Sequence, residues 1–150
     1  MTNDEIKEHI SSQLSAATFD ETGEWMVISI EPDNWMQLAK ALRYSKLNFN
    51  YLFCLTCVDW KTHLAMVYHL SSTDHRHTIV VKSNLDRNEP VIETVCDIWR
   101  TAEFHERETF ELFGVKFHNH PDLRRLILTD DFEGYPLRKD FEDPINMIKL

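Results

Sequence analysis

The regular spacing of apolar residues in this sequence stops near Gly114, and this break divides the chain into two parts. Residues 1–113 contain segments with helix-like or strand-like spacing, whereas in residues 114–150 apolar residues are sparse and charges of both signs alternate. The second part also holds two of the three glycines and three of the five prolines. We therefore predict an α+β domain over residues 1–113 and an extended, partner-binding arm over residues 114–150.

Helical spacing occurs in several segments of the first part. Residues 34–44 carry an inner face that begins at Trp35, and residues 102–113 end at Gly114, which is a plausible helix C-cap. Residues 91–99 also show helical spacing. Residues 4–17, with Asn3 or Asp4 as N-cap, form one apolar stripe made of Ile6, Ile10, Leu14 and Ala17.

Strand-like segments alternate with these helices. The segment at 51–60, YLFCLTCVDW, is too apolar for a strand with one wet face, and we predict a central strand covered on both faces. Residues 63–70 and 75–82 predict a hairpin around a turn at 71–74, and residues 25–30 predict an earlier strand. The predicted order is helix, two strands, helix, three strands, helix. This order is typical of an α+β two-layer sandwich with the sheet on one side and the helices on the other.

Composition excludes several classes of function. The net charge of -9, from 16 Lys+Arg against 25 Asp+Glu, disfavours binding to nucleic acid or to anionic lipid. With three glycines the chain has no glycine-rich phosphate loop. No apolar run reaches the ~18 residues of a membrane span, and the acidic N-terminus lacks the features of a signal peptide. Three cysteines without such a signal favour a reducing compartment.

The cysteines and histidines offer a metal or thiol-redox hypothesis. Cys54 and Cys57 form a CxxC pair, but positions i and i+3 of a strand point to opposite faces, so we interpret them as small core residues. His118 and His120 would share a face of a strand, yet a metal site requires three or four convergent ligands. We predict no metal ligand in this chain.

Acidic residues of the last predicted helix could supply general-acid chemistry. Glu106, Glu108 and Glu111 are the candidates, and Glu108 and Glu111 share a helix face. Arg107 lies beside them, and we favour structural ion pairing over catalysis. We predict no catalytic residue in this chain.

The densest signal runs from residue 106 to residue 140, ERETFELFGVKFHNHPDLRRLILTDDFEGYPLRKD. Arg124-Arg125 and Arg138-Lys139 are two basic doublets that are interleaved with acidic residues such as Asp122 and Asp140. Guanidinium groups bind carboxylates in a planar, bidentate manner. The pattern therefore favours a protein interface of mixed charge.

This run resembles the signature of the 30-kDa subunit family of respiratory NADH:quinone oxidoreductase, known in bacteria as the C subunit of complex I. The resemblance is carried by four segments in order. They are Glu106-Arg107-Glu108, then Phe110-Glu111-Leu112-Phe113-Gly114, then His120-Pro121-Asp122-Leu123-Arg124-Arg125, and Gly134-Tyr135-Pro136-Leu137-Arg138-Lys139-Asp140.

The resemblance implies a non-catalytic structural subunit in the peripheral arm of a proton-translocating enzyme that transfers electrons from NADH to quinone. FMN, the iron–sulfur clusters and quinone would then be bound by partner subunits. The arm would hold the large quinone-site subunit, of the 49-kDa type, at the cytoplasmic side of the cell inner membrane, with membrane association only through the complex. The interface residues implied are Glu106, Arg107, Glu108, His120, Asp122, Arg124, Arg125, Arg138, Lys139 and Asp140.

Two other functions stay open. The chain could be the equivalent subunit of a membrane-bound hydrogenase or of a dehydrogenase with another electron donor, because the donor site would lie on other subunits. It could also be a free-standing metal-binding or thiol-redox protein that uses Cys54, Cys57 and the histidines.

Overall fold

The computed structural model describes residues 1–147, so the last three residues of the predicted arm lie outside the described residues. Three helices and seven strands form within them. In chain order they are α1 (Asn3–Gln13), β1 (Thr18–Asp20), β2 (Met26–Ser29), α2 (Pro32–Arg43), β3 (Tyr51–Asp59), β4 (His63–Ser72), β5 (His77–Asp86), β6 (Val91–Glu93), α3 (Ala102–Phe113) and β7 (Lys116–His118).

Five strands form the main sheet in the order β1-β2-β5-β4-β3. The β4–β5 hairpin is antiparallel over its whole length, whereas β2 and β5 pair in parallel. One face of the sheet contributes alternate residues of β4 to the core, and Trp35 of α2 packs on Tyr68 at 4.4 Å between ring centroids. The predicted α+β class is confirmed.

The N-terminal helix is shorter than predicted. Thr2, rather than Asn3 or Asp4, caps α1 in a capping box with Glu5, and the helix ends at Gln13. The residues of the predicted stripe are all buried, because the chain after Leu14 turns and keeps Ala17 against the core. Among residues 1–147, no helix is long and apolar enough to cross a membrane.

The prediction that residues 51–60 form a central strand is wrong, because β3 is an edge strand of the main sheet. Its inward side chains join the core, while its outward side is partly wet, with Tyr51 half exposed. The outward apolar character comes from Phe53, which contacts the rings of Trp25 and His69 on the side of the sheet away from the core. This local aromatic cluster gave the strand an apolar sequence on both faces.

The helix predicted over residues 91–99 is also wrong. Residues 91–93 form β6, which pairs in parallel with β7, and the Thr94 N–H extends the pairing by donating to the His118 carbonyl at 3.0 Å. Ile92 and Trp99 are buried as the helical spacing required, but strand pairing with β7 determines the backbone. The core also continues past residue 113, since Val115 and Phe117 are buried on either side of Lys116 in β7.

Candidate functional site

Two charged side chains of helix α3, Arg107 and Glu111, bind the arm through the peptide groups of the arm. Arg107, whose side chain is buried, donates from Nε to the Arg124 carbonyl and from Nη2 to the Arg125 carbonyl, both at 3.0 Å. A planar guanidinium suits two adjacent acceptors because its N–H groups project in a fixed fork.

Glu111 lies one helical turn after Arg107 and is 2% exposed. Its carboxylate accepts hydrogen bonds from three consecutive backbone N–H groups, those of Leu126 (2.9 Å), Ile127 (3.0 Å) and Leu128 (3.0 Å). Backbone N–H groups that converge in this way form a concave site for an anion. Arg107 and Glu111 together therefore fix five consecutive arm residues, 124–128, which we call the clamped segment.

Glu106 and His120 form a second, fully buried contact between α3 and the arm. The Glu106 carboxylate accepts from the Thr94 hydroxyl at 2.5 Å and from the Val95 N–H at 2.8 Å, and its Oε2 lies 3.7 Å from His120 Nε2. His120 Nδ1 accepts from the Asp122 N–H, so Nε2 carries the proton and donates to the Glu103 carbonyl at 3.0 Å. Burial raises the pKa of Glu106 to about 7.

The predicted structural ion pairing of the α3 acids with Arg107 is wrong. Glu106 and Glu111 use their carboxylates mainly on N–H and O–H donors, and Arg107 uses its guanidinium on carbonyls. These three side chains are therefore compensated by N–H, O–H and C=O groups. The segments that carry these groups are thereby attached to α3.

Asp59, at the end of β3, makes a third attachment to the arm, near residue 139. Its carboxylate accepts from Arg87 at 2.8 and 3.1 Å and from the Lys139 N–H at 2.8 Å. These hydrogen bonds hold the pKa of Asp59 well below its usual range. Arg87 also lies 3.2 Å from Asp140, so β3, the segment after β5 and the arm meet at one charged cluster.

The predicted interface residues divide into an inward and an outward set. Those turned toward this chain are Glu106, Arg107, His120 and Arg138, the last of which donates from Nε to the Phe113 carbonyl at 2.6 Å. Arg125 donates to the Thr129 carbonyl, and Glu108 is half-buried. The exposed residues are Asp122, Arg124, Lys139 and Asp140.

The two basic doublets therefore do not present four free charges to solvent. In Arg124-Arg125 the first side chain is 71% exposed, whereas the second binds its own loop. In Arg138-Lys139 the first binds the end of α3, and the second lies with Nζ 6.0 Å above the ring of Trp60.

The sequence did not reveal that three residues, Glu111, Asp59 and Arg87, contact the arm. A signal for Glu111 exists, because it lies four positions after Arg107 on a helix and two opposite charges on one buried face require polar partners. The link from Asp59 to Lys139 runs through a backbone N–H, and no side-chain pattern reports it.

The cysteines do not come together as a thiol site. Cys54 pairs with His69 in the β3–β4 register and Cys57 pairs with Met66, and Cys57 points into the core. Burial raises the pKa of the Cys57 thiol to about 12, which disfavours the reactive thiolate. In the part of the chain from residue 1 to residue 147, no three His, Cys, Asp or Glu side chains are placed to hold a metal ion.

Comparison with known proteins identifies relatives along most of the chain. The family model described as "Respiratory-chain NADH dehydrogenase, 30 Kd subunit" matches residues 28–145. The C subunit of NADH-quinone oxidoreductase from Chlorobium phaeobacteroides is 37% identical over 143 residues, which are 93% of this chain and 86% of that protein. The C subunit of F(420)H(2) dehydrogenase from Methanosarcina mazei is 40% identical over 116 residues, which are 75% of this chain and 73% of that protein.

Solved structures show the same fold. A chain of the membrane-bound sulfane sulfur reductase, an archaeal respiratory membrane complex, has a TM-score of 0.80 and 29% identity, and the match covers 93% of this chain and 85% of that chain. The trypsin-resistant fragment (1-134) of Nqo5 has a TM-score of 0.70 and 24% identity over 82% of this chain and all of the fragment. The latter likeness shows the shared fold.

Some relatives are considerably longer than the matched region. This chain corresponds to 21% of the length of the C/D subunit of NADH-quinone oxidoreductase from Phocaeicola vulgatus, with 44% identity over 111 residues, and to 47% of the C subunit from Chloroherpeton thalassium. The family match over residues 28–145 and the alignment with the Chlorobium protein over 93% of the sequence lead to one assignment. The chain belongs to the family of the 30-kDa subunit of the respiratory-chain NADH dehydrogenase.

Proposed function

We propose that this chain is a structural subunit in the peripheral arm of a proton-translocating NADH:quinone oxidoreductase, where its arm supports the large quinone-site subunit of the 49-kDa type. The observation that carries the proposal is the clamped segment: α3 fixes the backbone of residues 124–128, and the side chains of Arg124, Leu126 and Ile127 stay exposed. A segment held by its backbone is preorganised for contact with another chain.

The charged groups of the site are suited to holding structure rather than to chemistry. Arg107, Glu111 and Asp59 each bind peptide groups of the arm, so none of these side chains is aimed at a substrate. In this proposal FMN, the iron–sulfur clusters and quinone are bound by partner subunits. The chain would lie at the cytoplasmic side of the cell inner membrane and associate with the membrane only through the complex.

The outward set of residues is the proposed contact surface for acidic and basic groups of the partner. It consists of Asp122, Arg124, Lys139 and Asp140, with Glu108 at its margin. We take the D subunit as the proposed partner, because the name of the Phocaeicola relative joins C and D in one protein and this chain matches 21% of its length. A fusion of two subunits in one polypeptide is expected where they lie side by side.

Co-purification tests this function. An affinity-tagged chain, recovered from native membranes in mild detergent, is expected to bring with it the quinone-site subunit, a flavoprotein and cluster-bearing subunits. Arg124→Glu combined with Lys139→Glu is expected to lower the recovery of the quinone-site subunit about tenfold, because two exposed contacts change sign. The control is Lys40→Glu combined with Arg76→Glu, which makes the same charge change at exposed positions outside the arm. Recovery of the tagged chain without these companions would refute the proposal.

A second candidate function is that of the equivalent subunit in an enzyme with a different electron donor or acceptor. The relative in F(420)H(2) dehydrogenase and the structural likeness to a sulfane sulfur reductase chain favour this alternative. Electron-donor assays on the purified complex separate the two. Quinone reduction by NADH supports the first function, and activity only with another donor supports the second.

A further inference from the structure

The clamped segment carries two adjacent apolar side chains that point away from the domain. Leu126 is 40% exposed and Ile127 is 70% exposed. Their neighbours behave differently, since Leu123 packs against the core and Leu128 is half-buried. The arm therefore turns its apolar residues inward on both sides of this pair and outward at the pair itself.

Two buried charges hold the pair in place. Arg107 and Glu111 are withdrawn from water, and their desolvation is compensated by five peptide groups of the clamped segment. Ile127 gains little burial from this arrangement within its own chain, and Leu126 keeps 40% of its surface exposed. The fixed backbone thus stabilises an exposed apolar pair, which is the arrangement that a contact with another molecule requires.

The surroundings of the pair match the anatomy of a protein interface. On the N-terminal side lies Arg124, with 71% of its side chain exposed and Asp122 bound to its Nε at 2.9 Å. On the C-terminal side lie the exposed residues Asp130 and Asp131. An apolar centre with a polar, solvent-accessible rim is typical of interfaces between proteins.

We propose that Leu126 and Ile127 are an apolar anchor that inserts into an apolar pocket of the large quinone-site subunit, beside an acidic group that pairs with Arg124. Glu111 and Arg107 are positioning residues for this anchor. The inference rests on the proposed function and deepens it, because it replaces a ladder of basic residues by an apolar centre as the main source of affinity. Rigid presentation lowers the entropy that the segment loses on binding.

Substitution of the anchor tests the proposal directly. The full chain is co-expressed with the quinone-site subunit, and the affinity between the two is measured for the wild type and for Ile127→Asp. The anchor variant is expected to bind at least about tenfold more weakly, because a buried aspartate would be unpaired in an apolar pocket. Ile145→Asp is the matched control, since Ile145 is also an exposed isoleucine of the arm, and binding within twofold of the wild type is expected.

Hydrogen exchange separates the anchor from its positioning residues. In the isolated chain, Ile127→Asp is expected to leave the amide exchange of residues 126–128 unchanged. Glu111→Gln is expected to accelerate exchange there, since the carboxylate loses its charge, and to weaken binding although the anchor itself is intact. Slow exchange in Glu111→Gln together with normal binding would overturn the positioning role.

The remaining outcomes overturn the anchor in distinguishable ways. Wild-type affinity for Ile127→Asp would remove the anchor while the proposed function stands. Failure of the wild-type chain to bind the quinone-site subunit would refute the proposed function and the anchor with it. Self-association of the wild type that Ile127→Asp abolishes would assign the pair to a contact between two copies of this chain, contrary to the proposal.

Discussion

Burial leaves the carboxyl group of Glu106 with a small set of polar neighbours. The Thr94 hydroxyl and the Val95 N–H donate to it, and the His120 ring lies beside it. Loss of water is the largest cause of its pKa of about 7, and the charges of Asp97 and Glu93 act in the same direction. Near neutral pH this group changes its charge inside the junction between α3 and the arm.

The raised pKa of Glu106 predicts a loss of stability as the pH rises. The folded state retains the proton that the unfolded state releases near pH 4.5, so the contribution is complete below that pH and is lost as the pH rises through about 7. The total loss is expected to be about 3 kcal/mol, from about 1.4 kcal/mol for each unit of pKa. Denaturant titrations between pH 4.5 and 8 check this. In Glu106→Gln the decline should be smaller by this amount, and an unchanged profile would contradict the assignment.

Single residues were predicted well where their role is set by local spacing. Ile6, Ile10 and Trp35 lie in the core as the helical pattern requires. The position of Glu111 beside Arg107 signals a need for polar partners, but the partners themselves could not be predicted, because they are backbone N–H groups 15 to 17 positions away. Every residue except proline has such a group, so the sequence of the arm does not mark the contact.

At the scale of elements, the end of α3 and the arm are packed around one glycine. Gly114 adopts φ 81° at the C-cap, and a Cβ placed there would lie 2.7 Å from the Tyr135 ring. Arg138 lies with its guanidinium 5.1 Å from the centroid of the same ring and donates to the Phe113 carbonyl. The helix end thus has both a left-handed residue and a close aromatic neighbour.

Gly114→Ala is expected to destabilise the chain by about 1–3 kcal/mol. The alanine has to adopt a left-handed conformation and displace the Tyr135 ring at the same time. Gly23→Ala is the matched control, because the nearest atom to its added Cβ is 4.0 Å away, and a change within about 0.5 kcal/mol is expected there. Thermal or denaturant unfolding gives both values. Equal effects of the two substitutions would refute the packing argument.

Helices and strands were predicted correctly where the local apolar spacing agrees with the contacts of the folded chain. The helical pattern of residues 102–113 and the C-cap Gly114 define α3 correctly. The helix prediction failed over residues 91–93 because Val91, Ile92 and Glu93 pair with β7, which lies more than twenty residues later. Long-range pairing overrode the local spacing, as it did when β3 was placed at the edge of the sheet.

Across the whole molecule, Asp59 joins three distant parts of the chain. It receives hydrogen bonds from Arg87 and from the Lys139 N–H, and Arg87 in turn contacts Asp140. The chain between Asp59 and Lys139 includes strands β4 and β5 of the main sheet, the β6–β7 pair and all of α3. This cluster therefore closes the arm back onto the domain and shields a carboxylate that is 3% exposed.

Asp59→Asn is expected to cost about 2 kcal/mol of stability, because Arg87 loses the charge of its main partner but keeps an amide oxygen and Asp140 as contacts. Because hydrogen bonds lower the pKa of Asp59, its contribution is present above the usual carboxyl pKa and is lost as the pH falls below it. Trypsin is expected to cut the variant faster after Arg138 and Lys139. Asp130→Asn, at an exposed arm position, is the control and should be cut at the wild-type rate.

The clamp of Arg107 and Glu111 has a consequence for how this subunit could be redesigned. Because Arg107 and Glu111 bind only carbonyl and N–H groups of the clamped segment, we expect most residues other than proline to be accepted at position 127. Attachment and recognition are thereby uncoupled within a few residues. New anchor sequences could be grafted onto the clamped segment, and the same domain could be directed to a different partner without rebuilding its core.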